Sequence, residues 1–203
     1  MTDSTSEYEQ ADWQKHYDEN DLRWDLGEPA PPIVRMWQDQ WLKPGATLIP
    51  GCGRGHEAVF LMEKGFHVTG VDFSSGAVNH LSDVIAKKNL KGRALLENFF
   101  ELDASHNGKY DLLIEHTFFC AIAPRDRSRY IETALRILSP QGKIAGLFYE
   151  TGEEGGPPFN TPKTDILKFF SPAFEIEFLE KTPHSAEQRR GKEWAALLVK
   201  KSS

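Results

Sequence analysis

The sequence predicts one α/β domain in which helices cover both faces of a mostly parallel, doubly wound sheet. Short apolar segments alternate with helix-like segments from residue 46 to residue 149, a pattern typical of such sheets. Residues 109–115 form a nearly continuous apolar segment, as expected for a strand with both faces buried. A glycine-rich turn follows the first predicted strand, and ligands of these sheets bind beyond the carboxyl ends of the strands.

The N-terminal part of the chain is predicted to lie outside the sheet. Residues 1–10 are polar and acidic and are expected to be disordered, which leaves residues 11–203 as the domain. Within that domain, residues 11–45 form an N-terminal lid and a helix that precede the first strand.

Two interpretations of the lid are open. Trp13 and Tyr17 are four residues apart, on one face of a short helix predicted at residues 12–17. The prolines and the glycine of residues 20–32 exclude regular structure over most of that segment and make it stiff. The segment either packs over the ligand crevice or serves only to fix Trp13, Tyr17 and Trp24 onto the core.

A strand, a glycine turn, a helix and a second strand form a unit typical of nucleoside binding. Residues 46–50 are the first strand, and Asp72 ends the second. Gly51, Gly53 and Gly55 let the backbone turn sharply and approach a ligand closely. The free N–H groups at the helix start favour an anionic group, and Asp72 is placed to accept hydrogen bonds from ribose hydroxyls.

The remaining elements follow from apolar periodicity and from turn residues. Ser74 is a good N-cap for a helix that runs to residue 89, and Ser-Pro-Gln-Gly142 is expected to end the helix that Pro124 begins. The other predicted helices are residues 33–41, 58–65 and 161–170, and the other predicted strands are residues 66–72, 93–97, 143–149, 174–181 and 193–200, the last two joined as a hairpin.

The spacing of the glycines narrows the ligand. A dinucleotide-binding turn has a third glycine at the position where this chain has His56. The pattern Gly-x-Gly-x-Gly suits an adenosyl ligand without a pyrophosphate, such as S-adenosylmethionine. A nicotinamide-dependent oxidoreductase on the same fold is the alternative, and His56 argues against it.

Composition excludes several other classes. The net charge of −6 argues against a nucleic-acid partner, which leaves a small-molecule substrate. Cys52 and Cys120 are far apart and match no metal-ligand spacing, so no metal is expected. The two separated cysteines favour a reduced, cytoplasmic protein, the N-terminus does not resemble a signal peptide, and no apolar run is long enough to span a membrane. A monomer is expected.

Several separated blocks resemble the thiopurine S-methyltransferase superfamily, within the class I S-adenosylmethionine-dependent methyltransferases, and the halide and thiol methyltransferases in particular. The blocks are Trp13…Trp24-Asp-Leu-Gly-Glu-Pro-Ala-Pro, Ile49-Pro-Gly-Cys-Gly, Phe118-Phe-Cys-Ala-Ile122, Gly155-Gly-Pro-Pro-Phe159 and, more weakly, Pro183-His184 with Arg190-Gly-Lys192.

The resemblance implies a seven-stranded sheet of order 3-2-1-4-5-7-6 with the last strand antiparallel. It implies S-adenosylmethionine as the cofactor and places adenine near Asn98 and Phe99, ribose on Asp72, and the methionine end near His116. The cofactor-binding residues implied in all are Trp13, Tyr17, Trp24, Gly51, Gly53, Asp72, Asn98, Phe99 and His116. His116 stands where plant relatives have tyrosine and mammalian thiopurine enzymes have arginine, so the resemblance does not fix the acceptor.

The acceptor implied by the resemblance is a small soft nucleophile: a thiol or hydrosulfide, thiocyanate or a halide. Such anions need no protein general base, only alignment and desolvation. The substrate pocket is expected to use Trp24, Phe119 and Phe159, although Phe118 or Phe119 is expected to belong to the core. His116 is expected to bond the cofactor carboxylate, or else to lower the pKa of a thiol. Larger thiols such as thiopurines, oxyanions of selenium or tellurium, and a non-catalytic cofactor-binding module are the alternatives.

Overall fold

The computed structural model describes residues 9–202, which form one seven-stranded sheet with helices on both faces. The strand order is β3-β2-β1-β4-β5-β7-β6, as the resemblance implies. β7 pairs antiparallel with both β5 and β6, and every other pairing is parallel. The strands are β1 Ala46–Pro50, β2 His67–Asp72, β3 Gly92–Leu96, β4 Tyr110–His116, β5 Leu138–Tyr149, β6 Phe174–Lys181 and β7 Glu193–Lys200. The α-helices are α1 Gln10–Asp18, α2 Pro31–Gln38, α3 His56–Glu63, α4 Ser75–Lys88, α5 Arg127–Ile137 and α6 Lys163–Phe170.

The predicted start of the fifth strand at residue 143 is wrong, because β5 already begins at Leu138. Leu138 pairs with Tyr110, and the next pairing of the ladder joins Lys143 to Leu112. The four residues between them are an insertion in the strand, in which Gln141 has a φ of +65°. The turn residues are therefore present as predicted, but they bend a strand instead of separating a helix from it.

Four predicted helix starts differ from the structure by two residues. α1 starts at Gln10 instead of residue 12, and α6 starts at Lys163 instead of residue 161. α2 starts at Pro31, where a proline without an N–H is tolerated in the first turn. α3 starts at His56, directly after Gly55 in the left-handed conformation. This earlier start brings the side chains of His56 and Glu57 to the edge of the glycine turn.

The sheet is buried on both faces, which explains its apolar strands. One face carries α2, α3 and α4 over an aliphatic cluster that includes Ile33, Leu61 and Leu81. The other carries α5 and α6 over a cluster rich in aromatic rings. Burying each large apolar side chain stabilises the fold by roughly 1.5–3 kcal/mol, so this double-sided core gives the site a rigid floor. The aromatic residues of the second cluster that are at most 2% exposed are Phe99, Phe119, Tyr130, Phe148, Phe170 and Phe174.

Residues 9–30 form the lid, which consists of α1 and the irregular segment after it. No residue of α1 is buried. α1 lies against the start of α4, where the Gln14 side-chain oxygen accepts hydrogen bonds from the Ser75 hydroxyl at 3.2 Å and the Gly76 N–H at 3.3 Å. Of the residues expected to be disordered, residues 1–8 lie outside the described part of the chain, whereas Gln10 is already in α1.

Candidate active site

The glycine turn connects β1 to α3 at the carboxyl edge of the sheet. Gly51 and Gly53 have φ angles of +55° and +53°, which favour glycine over other residues. A Cβ atom at Gly51 would lie 2.4 Å from the Phe118 ring, so a larger residue there would displace that ring. The turn thus forms a tight backbone cradle with Phe118 against one side.

Asp72 lies at the end of β2, where two backbone N–H groups fix its carboxylate oxygens. Oδ2 accepts a hydrogen bond from the Gly53 N–H at 3.0 Å, and Oδ1 accepts one from the Ser74 N–H at 2.9 Å. Burial raises the pKa of Asp72, and these N–H groups partly offset that effect. Since each carboxylate oxygen can accept more than one bond, Asp72 retains capacity for ribose hydroxyls.

A pocket lies between the lid and the edge of the sheet, with a cavity volume of about 50 Å³. It brings together five of the nine predicted cofactor residues: Tyr17, Trp24, Gly51, Gly53 and His116. Ligand sites for molecules of drug size measure roughly 300–1,000 Å³. A ligand as large as S-adenosylmethionine therefore does not fit this cavity in the conformation described here.

Trp13 does not line this pocket and instead packs within the lid. Its ring meets the Trp24 ring edge-on, with the ring centroids 5.2 Å apart. The Tyr17 ring also packs edge-on against the Trp24 ring, with the ring centroids 6.0 Å apart. Trp24 thus presents a wall to the pocket while packing against two aromatic side chains of α1.

Asn98 and Phe99 do not line this pocket, and their predicted contact with adenine remains a prediction. The Asn98 side-chain oxygen accepts a hydrogen bond from the Phe100 N–H at 3.0 Å and so caps a short 3-10 turn. Phe99 is 2% exposed and packs against Phe118 and Tyr130. The Phe99 ring belongs to the core in this structure.

Phe119 also belongs to the core, contrary to its predicted place in the substrate pocket. Its side chain is fully buried among Tyr130, Phe148 and Phe170. The N–H groups of Phe118 and Phe119 both donate to Glu115 Oε1, at 3.0 and 2.8 Å. In this tight turn Phe118 contacts Gly51 of the cradle, whereas Phe119 joins the core.

Phe159 is likewise buried and does not line this pocket, so its place in the substrate pocket remains a prediction. Its N–H donates to the Cys120 carbonyl at 2.6 Å, which fixes the loop after β5 against the segment that follows β4. Gly156 packs on the Phe159 ring, since a Cβ atom there would lie 2.6 Å from it. Phe159 therefore supports the edge of the site from behind.

His116, the last residue of β4, has a partner at each ring nitrogen. Nδ1 lies 3.0 Å from Glu57 Oε1, and Nε2 lies 2.6 Å from Arg189 Nη1. A guanidinium can only donate hydrogen bonds, so Nε2 is the acceptor. The hydrogen is then on Nδ1, and the ring is neutral and donates to Glu57. Its predicted bond to the cofactor carboxylate would have to displace one of these partners.

Arg189 is a site residue that the sequence patterns did not identify. It lies in the hairpin tip between β6 and β7 and is only 6% exposed. Besides His116, it donates to the Trp24 carbonyl at 2.6 Å and lies 3.4 Å from Glu193 Oε1. It connects three distant parts of the chain, so no local pattern could reveal it, although the Arg190-Gly-Lys192 block pointed to the adjacent residues.

A second contact holds the lid to the glycine turn. His56 Nε2 lies 2.8 Å from Asp25 Oδ1, and Arg54 donates to the Asn20 side-chain oxygen at 2.7 Å. The Asp25 carboxylate raises the pKa of His56, and the His56 ring lowers the pKa of Asp25. His56 distinguishes this turn from a dinucleotide-binding turn, and it is also the residue that binds Asp25 of the lid.

This fold and its glycine turn are those expected of a class I S-adenosylmethionine-dependent methyltransferase. The positive-φ turn at Gly51 and Gly53 leaves room for a close backbone approach to a ligand, and the predicted contact of the Asp72 carboxylate with a ribose remains a prediction. No helix within residues 9–202 is long and apolar enough to cross a membrane, and this part of the chain contains no cluster of three potential metal ligands.

Comparisons with known proteins agree with this assignment. The sequence profile of the thiopurine S-methyltransferase family matches residues 8–202. A probable thiol methyltransferase 2 of Arabidopsis thaliana is 31% identical over 93% of this chain and 84% of its own length. Thiocyanate methyltransferase 1 of the same plant is 30% identical over 91% of this chain and 82% of its own.

A solved structure of similar fold is the 1,6-didemethyltoxoflavin-N1-methyltransferase of Burkholderia thailandensis, with S-adenosylhomocysteine bound. It has a TM-score of 0.77 and 16% identity, and the match covers 95% of this chain and 87% of that one. This chain belongs to the thiopurine S-methyltransferase family. It is an S-adenosylmethionine-dependent methyltransferase.

Proposed function

We propose that the protein transfers the methyl group of S-adenosylmethionine to a small soft nucleophile, namely a thiol or hydrosulfide, thiocyanate or a halide. The bound cofactor supplies an electrophilic methyl group on a positively charged sulfur. The observation that carries the choice of acceptor is the state of His116. Its Nε2 accepts from Arg189 and its Nδ1 donates to Glu57, so the ring has no free nitrogen to take a proton from an acceptor.

Three other ionisable groups of the pocket are poor bases or nucleophiles. Burial and the charge of Asp72 raise the pKa of Tyr17, which keeps its hydroxyl protonated. Burial raises the pKa of Cys52 well above its usual value. The pKa of Glu57 is lowered although burial opposes this, because the His116 ring and the Ala30 N–H stabilise the carboxylate. An acceptor that arrives already as an anion suits such a site.

The contribution of the protein would then be alignment and exclusion of water. The lid covers the edge of the sheet, and the rings of Tyr17 and Trp24 face the pocket. Aromatic rings attract a sulfonium by roughly 0.5–2 kcal/mol each. A soft anion stripped of its hydration between these walls is a stronger nucleophile than the same anion in water.

The names of the similar plant proteins support the same acceptor class. Two relatives at about 30% identity are named for thiol and thiocyanate methylation. Thiopurine S-methyltransferases of bacteria, such as that of Pseudomonas fluorescens at 28% identity, are similar over a smaller share of this chain. We therefore place small acceptors before aromatic thiols.

The test is methyl transfer to a panel of acceptors at several pH values. Purified protein is incubated with S-adenosylmethionine and, separately, hydrosulfide, thiocyanate, iodide and an aromatic thiol, and methylated products are measured by headspace and liquid chromatography. We expect product from the small acceptors. The rate with hydrosulfide should rise with pH as that acceptor ionises, whereas the rate with iodide should not show this rise.

Two outcomes would contradict the proposal. Product from the aromatic thiol alone would indicate a larger pocket of the thiopurine type. A rise in the iodide rate with pH equal to that for hydrosulfide would show that a protein group titrates in catalysis. Reactions without protein and with heat-denatured protein are the controls for background methylation.

A further inference from the structure

Glu57 is a buried carboxylate at the inner end of the pocket. It is the second residue of α3, its residue exposure is 9%, and its side chain lies on the pocket wall. Oε1 accepts a hydrogen bond from the Ala30 N–H at 2.9 Å and lies 3.0 Å from His116 Nδ1. The Glu57 backbone N–H also stabilises the carboxylate, and within residues 9–202 no other residue donates a hydrogen bond to Oε2. One oxygen is thus fixed by the lid and by β4, and the other has no donor from another residue.

The charges around Glu57 do not neutralise it. Both donors to Oε1 are neutral, since the His116 ring carries only the Nδ1 hydrogen. The nearby cations have acidic partners of their own: His56 and Arg54 lie against Asp25, at 2.8 and 3.7 Å, and Arg189 lies 3.4 Å from Glu193. Buried charges in proteins are normally paired, so the structure contains an anion that a bound cation would complete.

We infer that Glu57 binds the α-ammonium group of the methionine part of the cofactor. The inference deepens the proposed function, on which it rests for the position of the methionine end beside His116. An ammonium has three N–H donors and a positive charge, which match an ionised carboxylate whose Oε2 has no donor from another residue. The Ala30 and His116 contacts orient the carboxylate before the cofactor arrives.

The ammonium fits Glu57 better than the sulfonium does. A sulfonium carries no hydrogen and cannot donate to Oε2, whereas each ammonium hydrogen can. A carboxylate beside the sulfonium would also stabilise the positive charge that disappears when the methyl group leaves, and so would oppose transfer. Pairing with the ammonium leaves the reacting sulfur to the aromatic walls.

The experiment measures the affinity of four ligands by calorimetry, without turnover. S-adenosylmethionine and S-adenosylhomocysteine carry the ammonium. The deaminated analogue of S-adenosylhomocysteine lacks only that group, and 5′-methylthioadenosine lacks the whole amino acid. The wild type is compared with Glu57→Gln, which keeps an oxygen to accept from Ala30 and His116 but removes the charge. Glu63→Gln, at the exposed far end of α3, is the matched control.

We expect Glu57→Gln to weaken binding of S-adenosylhomocysteine and S-adenosylmethionine alike, by about 30-fold or more, as for a buried charge pair that loses one partner. Affinity for the deaminated analogue and for 5′-methylthioadenosine should change less than about threefold. The wild type should itself bind the deaminated analogue at least about 30-fold more weakly than S-adenosylhomocysteine, a result that does not depend on the variant.

Several results would overturn the inference. One is equal affinity of the wild type for S-adenosylhomocysteine and its deaminated analogue. Another is a Glu57→Gln variant that loses 5′-methylthioadenosine as strongly as the full cofactor, which would indicate a structural role. A loss confined to S-adenosylmethionine would assign Glu57 to the sulfonium. Since these ligands report binding alone, a wild type that binds them but forms no product would contradict the proposed acceptor class and leave the inference intact.

Discussion

The two sides of the cofactor pocket are held in place by different forces. The sheet edge rests on a core whose aromatic and aliphatic side chains are fully buried on both faces. The lid has no buried residue in α1 and is attached by aromatic edges and by polar contacts of Gln10, Gln14, Asn20, Trp24, Asp25 and Ala30. Hydrophobic burial is cooperative and large, whereas exposed polar contacts contribute little each. The structure thus combines a rigid floor with a cover that can open for a bulky cofactor.

The largest difference between the two sides should appear in stability. We expect Phe119→Ala, in the core, to lower the free energy of unfolding by about 3–5 kcal/mol, because it leaves a cavity among packed rings. Trp24→Ala, in the lid, should cost less than about 2 kcal/mol, yet should reduce turnover more than tenfold. Chemical denaturation and steady-state kinetics measure the two effects. A collapse of stability in the Trp24 variant would show that the lid serves mainly to fix the fold.

The next largest effect concerns the floor of the site. Asp72→Ala should weaken S-adenosylhomocysteine binding by about 100-fold, because it removes charge-assisted bonds to the ribose worth roughly 1.5–3 kcal/mol each. Calorimetry measures the affinity. Asp111→Ala is the control, because Asp111 is exposed at the start of β4, at the sheet edge away from the pocket. This variant should bind S-adenosylhomocysteine like the wild type. Near-normal affinity of the Asp72 variant would show that Asp72 does not bind the ribose.

A smaller effect, on hydrogen exchange of the lid, should distinguish Arg189 from the neighbouring Arg190. Arg189→Lys keeps a positive charge beside Glu193 but loses the fork that joins the Trp24 carbonyl to His116. We expect amides of the lid to exchange hydrogen about five- to tenfold faster, as for a lost bond of about 1 kcal/mol, with the core strands unchanged. Arg190→Lys, which is exposed, should exchange like the wild type. Faster exchange throughout the sheet would mean that Arg189 stabilises the core instead.

The smallest effect should be the pH dependence of the contact between lid and turn. Asp25 raises the pKa of His56, so the contact is fully present below the ordinary histidine pKa of about 6.5 and is lost as pH rises through the raised value. Glu57 favours the charged ring of His56, and Arg54 opposes it. We expect the lid to exchange hydrogen faster at pH 8.5 than at pH 6, by roughly two- to threefold beyond the intrinsic change.

The pH effect should disappear in His56→Gln, in which the side chain no longer titrates. His67→Gln, an exposed histidine at the start of β2, should retain the wild-type dependence. The same pH dependence in the His56 variant would assign the effect to another group.

Local patterns predicted most of the fold. The bounds of β6 and β7 were predicted to the residue, and β1 also agrees, because apolar strands between turn residues are recognisable over a few positions. The strand order came from the resemblance to a family, since it depends on contacts between distant segments. The helix starts at Pro31 and His56 differed by two residues because helix ends are weakly specified.

The site was less predictable than the fold. The glycine turn and Asp72 lie within one βαβ unit, so their proximity follows from sequence. Phe119 was misplaced because consecutive aromatic residues after a strand give no sign of which ring faces the ligand. Glu57, His116 and Arg189 are more than fifty residues apart from one another in the chain, so only the folded chain shows that they form one hydrogen-bonded row.

Hydrogen exchange with and without S-adenosylhomocysteine tests most directly whether the lid and the sheet edge form one cofactor site. The account predicts slower exchange in residues 51–56 and in residues 9–30 on binding, with the larger change in the lid, because the lid is the less stable side in the free protein. Protection of the glycine turn with an unchanged lid would contradict it, since the cofactor would then bind outside the pocket that the lid covers.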